Sequence, residues 1–119
     1  MNKFHITNFI SNSIFLFFLL LFIACEKQQE VDITKTIQFE GKIFKLESEK
    51  PFSGIIYNNY PEGQREYEGH YKNGIPNGLL TYWYEHGETM RKGRLKNGIP
   101  VGRWTYYNID ASIQKIIDY

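Results

Sequence analysis

From Gly54 onward, apolar and polar side chains alternate with a period of two, and the pattern restarts every 24 residues. Leu80, Tyr82 and Tyr84 fall on one side of a strand, and Leu79, Thr81 and Trp83 on the other. Residues 79–84 are rich in aromatic side chains suited to a pleated surface. Glu85-His86-Gly87 then reads as a turn, because glycine tolerates positive φ. Residues 88–95 return as a second strand. Lys72-Asn73-Gly74-Ile75-Pro76 recurs letter for letter as Lys96-Asn97-Gly98-Ile99-Pro100. Asn-Gly is a strong hairpin-turn signal, and the proline sits at the next strand's entry, where its missing N–H costs least. A fixed step of this length marks a repeat array.

Gly54, Gly78 and Gly102 are equivalent in this register, with units starting near each. Ile56, Leu80 and Trp104 form one row along the array, and Gly63 matches Gly87 in the turn. The third unit carries Ala111 where the turn glycine stood. Gly69 and Gly93 recur on the return strands opposite large aromatics, so a ring is expected over bare backbone. Upstream, Phe39–Phe44 reads as part of a partial unit over residues 37–50. The expected domain spans 37–119, all-β, as a single twisted sheet with an antiparallel meander of hairpins. Its terminal strand, Ile113–Tyr119, is apolar, and its unpaired edge is an expected oligomer contact.

The first 25 residues follow another pattern. The uncharged run Ile14–Ala24 would span roughly 16 Å as a helix, against about 30 Å of bilayer hydrocarbon. It suits the apolar core of a signal peptide over residues 1–24. Residues 25–36 are polar with little periodicity and are expected to form a flexible tether.

The chain has only one cysteine, Cys25, so no internal disulfide forms. The junction Phe22-Ile23-Ala24-Cys25 resembles a bacterial lipobox, with Phe22 where that family usually has leucine. The resemblance implies that Cys25 becomes the lipidated first residue of a mature chain, anchored to a membrane of the bacterial cell envelope and facing outside the cytoplasm.

The repeat itself resembles the MORN repeat, in its short bacterial variant. The residues that carry the likeness are Gly78–Tyr84 with Gly87, and Gly102–Tyr107. The resemblance implies a single-layered antiparallel sheet of hairpins. Chains of this kind are often grouped with YwqK-type antitoxins, which implies an alternative function, binding and neutralising a toxin.

The formal charge of +1 gives no bulk field to draw nucleic acid. No nucleophile–base constellation is visible, and neither cofactor nor metal is expected. His70 and His86 lack metal-ligand spacing, while Glu66 and Glu68 read as solvated carboxylates. One stretch is distinctive. Arg91, Lys92, Arg94, Lys96 and Arg103 fall between Met90 and Trp104 with no acidic residue among them. Tyr82, Trp83, Tyr84, Trp104 and Tyr106 accompany them. Together these ten form the candidate binding surface, for a protein or cell-envelope component, with lipid or glycan as a further ligand class.

Overall fold

The computed structural model describes residues 27–119, so the expected signal helix and Cys25 lie outside the described residues. Nine strands follow in order: β1 (Glu30–Asp32), β2 (Thr36–Phe39), β3 (Lys42–Lys45), β4 (Gly54–Asn59), β5 (Arg65–Lys72), β6 (Ile75–Trp83), β7 (Thr89–Lys96), β8 (Ile99–Tyr107) and β9 (Ile113–Asp118). Seven form one sheet in the order β1-β4-β5-β6-β7-β8-β9, while β2 and β3 form a separate hairpin. From β4 to β9 each strand pairs antiparallel with the next. β1 lies parallel to β4, so the sheet is mixed, where a purely antiparallel one was expected.

The tether is the second correction. Glu30–Asp32 is a strand, with Val31 opposite Ile56, and the two are 5% and 0% exposed. Ile33–Lys35 then makes one 3-10 turn, which the Asp32 carboxylate caps by accepting from the Thr34 amide at 2.8 Å. Three residues are too few to display a period, so one buried valine between two acids gives no strand signal. Residues 37–50 also depart from expectation: β2 and β3 stand apart from the repeat sheet. Their joint, Glu40-Gly41, has φ of 48° and 76°. Asn73-Gly74 and Asn97-Gly98 match it at 50° and 78°, and at 51° and 80°. Two successive positive φ values define the hairpin turn that suits the right-handed twist of strands.

Bonds recur at the 24-residue step. The Gly63 amide donates to the Tyr60 carbonyl at 2.9 Å, Gly87 to Tyr84 at 2.9 Å, and Ala111 to Asn108 at 3.0 Å. The third turn therefore closes without its glycine, with Ala111 held at φ 68°. Glu66, Met90 and Gln114 are each the extra residue of a bulge, between Tyr67 and Arg65, Arg91 and Thr89, and Lys115 and Ile113. A bulge at the same place in every hairpin adds local twist. Tyr60 Oη donates to the Trp83 carbonyl at 2.7 Å, and Tyr84 Oη to the Tyr107 carbonyl at 2.8 Å. Each hydroxyl thus reaches one repeat onward. The Asn73 amide likewise donates to Ser53 Oγ at 2.9 Å, and the Asn97 amide to Asn77 Oδ1 at 3.2 Å.

The core is one-sided. Ile56, Leu80 and Trp104 are buried in a row, joined by Val31, Phe52, Tyr67 and Tyr71. Gly69 stands between Ile56 and Leu80, and Gly93 pairs with Leu80 on its other side. A Cβ added to Gly93 would collide with the Trp104 indole, and one at Gly69 with the Tyr67 phenol. The expected ring from the strand opposite is present at Gly93; at Gly69 the residues opposite are Ile56 and Leu80, and the ring comes from Tyr67 two residues earlier on the same strand. Trp104 Nε1 donates to the Arg94 carbonyl at 3.1 Å, and the Tyr67 and Tyr71 hydroxyls share a bond of 2.8 Å. Tyr119 closes the row edge-on against Trp104 at 6.3 Å.

Two outcomes follow for stability. Ala111→Gly removes a left-handed alanine and should raise stability by roughly 1 kcal/mol, seen as a higher urea midpoint at unchanged slope. A midpoint that stays put or falls would show that this turn holds no strain. Gly93→Ala displaces the indole and should cost roughly 2–3 kcal/mol, with a shift in tryptophan fluorescence. A variant as stable as the wild type would mean that the ring does not depend on bare backbone.

Candidate interaction surface

Alternation gives the sheet an inner face, where the core row lies, and an outer face. The ten candidate residues divide between them. Trp104 is buried on the inner face. Tyr82 shares that face, in register with Tyr67 and Arg91, its ring 4.9 Å from Tyr67 and covered by the Arg91 guanidinium at 4.2 Å. Tyr106 is covered in the same way by Lys115 at 4.6 Å. Arg91 Nε is buried and makes no hydrogen bond, because the guanidinium spends its contact on the ring. These four side chains are packing, so the inner face does not present them to a partner. Tyr84 is occupied as well, stacked on His86 at 5.7 Å with its hydroxyl tied to the next repeat.

Trp83, Lys92, Arg94 and Arg103 belong to the outer side. Lys92 and Arg94 on β7, with Arg103 on β8, line a shallow groove of about 350 Å³ floored by Gly93 and Gly102. Leu79 and Val101 border it and stay over a third exposed. Lys96 lies apart, at the end of β7. Arg103 makes two bonds to Asp118, Nε to Oδ1 at 2.9 Å and Nη2 to Oδ2 at 3.1 Å. That pairing holds the Asp118 carboxyl below the usual carboxylate range and raises Arg103. Both side chains are more than half exposed, so the pair orients the guanidinium more than it stabilises the fold. Among the described residues, Lys92 and Arg94 make no ion pair.

Sequence reasoning missed Asp118, Leu79 and Val101. The pairing of Arg103 with Asp118 across β8 and β9 is the signal that finds the first, and it needs the register. Glu66 and Glu68 do not act together: Glu66 accepts from Asn58 Nδ2 at 2.7 Å, while Glu68 sits 3.8 Å from Arg65. His70 borders an open recess with Lys72 and Asn77. Among the described residues, no three His, Cys, Asp or Glu side chains converge as a metal site needs. Comparison with protein-family models, curated proteins and solved structures returned no match.

The buried hydroxyl pair has a pH consequence. Burial raises both Tyr67 and Tyr71 above the ordinary tyrosine range, because their ionised forms would lose hydration. Raised groups stabilise fully below their unfolded pKa, near 10, and that stability is lost as pH climbs through the folded values. Denaturant titrations should therefore show stability falling above about pH 10. In Tyr67→Phe/Tyr71→Phe the alkaline limb should flatten; an equally steep limb would place the titrating groups elsewhere.

Proposed function

We propose that this chain is a non-enzymatic, membrane-anchored lipoprotein whose MORN-like repeat sheet presents its outer face to an acidic partner protein or cell-envelope component. The observation that carries the reading is the division of the sheet. The inner face is filled by its own aromatic row, whereas the outer groove holds Lys92, over the Tyr107 ring at 5.8 Å, and Arg94, both without an ion pair among the described residues, beside exposed Leu79 and Val101. Cations around an apolar patch fit a partner with carboxylates flanking an apolar segment; the charges speed and orient encounter, and the apolar contacts hold it.

Further support for the repeat reading comes from the turn, bulge and tyrosine bridge that return at one step of the chain. Support for the anchor is sequence-based: the only cysteine follows Ala24 at the end of the apolar run. An envelope location separates this role from that of a cytoplasmic YwqK-type antitoxin.

Two measurements test the proposal together. Palmitate should label the wild type and not Cys25→Ala; equal labelling would remove the anchor. A photo-crosslinker at Val101, used in whole cells, should trap a partner that Lys92→Glu/Arg94→Glu loses by about tenfold or more, since charge reversal at both positions opposes an acidic surface. Undiminished trapping in the double variant would show that the groove is not the contact.

A further inference from the structure

The strand directions sort charge to the two ends of the sheet. Every strand-to-strand joint lies at the end where β4, β6 and β8 begin, and every hairpin tip at the other. Lys72 and Lys96 flank the joints. Lys42 is carried to the same end, because the Ile43 amide donates to the Gly74 carbonyl at 2.9 Å. Lys27 borders the recess there with Lys72. All four lysines are exposed. Against them stand Glu40 and Glu30, the latter 3.7 Å from Arg65, while Asp118 is taken by Arg103. In the adjoining loop, Lys45 and Lys50 are balanced by Glu47 and Glu49. The tips carry the opposite sign, with Glu62, Glu85, Glu88 and Asp110 all exposed.

Exposed apolar side chains join the basic end. Phe39, beside the β2–β3 turn, is 61% exposed, and Ile99, just past the second Asn-Gly joint, is 66% exposed. The chain also enters the sheet here, as β1 starts with Glu30 beside Ile55 and runs parallel to β4. Cys25 is five residues before Glu30, so however the intervening chain is arranged, it spans at most roughly 18 Å.

We infer that the joint end of the sheet rests on an anionic bilayer surface, with Lys27, Lys42, Lys72 and Lys96 among the headgroups and the acidic tips held away from it. This rests on Cys25 bearing the lipid. A short leash brings this end to the membrane, and the charges choose the orientation. Each lysine at an anionic surface favours it roughly fivefold, while the same surface repels the tips. The end-on stance keeps the outer groove beside β7 and β8 open to a partner arriving along the membrane.

The full mature chain in vesicles gives the test. With Cys25 acylated, a cysteine placed at Ile99 or at Ile109 is the only free thiol, and Ile109 is a matched probe at 68% exposure in a hairpin tip. The two positions lie roughly 30 Å apart along the strand direction. A donor dye on each, with acceptor-labelled headgroups in phosphatidylglycerol–phosphatidylethanolamine vesicles, should show transfer several-fold greater from position 99. In phosphatidylcholine vesicles, or in Lys72→Glu/Lys96→Glu with its circular dichroism unchanged, the contrast should collapse. Equal transfer from both positions, or a contrast indifferent to lipid charge and to the double reversal, overturns the orientation. Dye taken up by a chain with no introduced cysteine reports a free Cys25; that outcome removes the anchor, and the orientation with it.

Discussion

A sheet one layer thick has to cover its own inner face, and here it does so by laying rings on glycines. Trp104 lies over Gly93 of the neighbouring strand and the Tyr67 phenol over Gly69 of its own strand, so each ring occupies space that a side chain at the glycine would fill. An aromatic side chain buries about 150–250 Å², which at about 25 cal/mol per Å² is roughly 4–6 kcal/mol before ordering costs. No exposed ion pair on the sheet approaches this. The rest of the structure follows from keeping ring and glycine in register. The bulges at Glu66, Met90 and Gln114 reset each return strand, and the hydroxyls of Tyr60 and Tyr84 tie each hairpin to the next.

The same constraint explains how the two ends of the array are finished. Contacts in a repeat array run mainly between neighbours, so terminal units lack half their packing. At one end Val31 and Phe52 supply it, with β1 added parallel to β4. At the other, Ile117 stands opposite Trp104 where the glycine register would call for a bare position, and Tyr119 meets the indole edge-on. A side chain is tolerated at position 117 because no further ring has to pass over it among the described residues.

Much of this was legible in the sequence. The recurring joint set a register that placed Ile56, Leu80 and Trp104 in one row and predicted the ring over Gly93, whereas the ring at Gly69 comes from Tyr67 on its own strand. The first strand was not legible, because a parallel partner far along the chain leaves no local pattern. The third turn was read as altered at Ala111, yet its geometry persists, since the Asn108 and Ser112 backbone groups close it regardless of the residue between. The candidate surface was legible in composition and mixed in placement. Arg91 and Lys92 are adjacent in sequence and belong to opposite faces. Knowing which face is the inner one takes the burial of Trp104, and with it Tyr82 and Tyr106 become packing while Lys92, Arg94 and Arg103 remain outside.

A hairpin repeat contains an even number of strands, so every joint returns to the same end of the sheet and every tip to the other. Any residue fixed in the joint by turn geometry is therefore copied into a stripe along one edge, and any residue in the tip into a stripe along the other. Lys72 and Lys96 sit beside Asn-Gly turns that the twist requires, while Glu62, Glu85 and Asp110 sit in tips that need only to be polar. Charge polarity thus arises from the same period that stacks the core, without a dedicated motif. If Cys25 carries the proposed lipid, that polarity acquires a direction in space, and a structural joint becomes a means of setting which way the sheet stands.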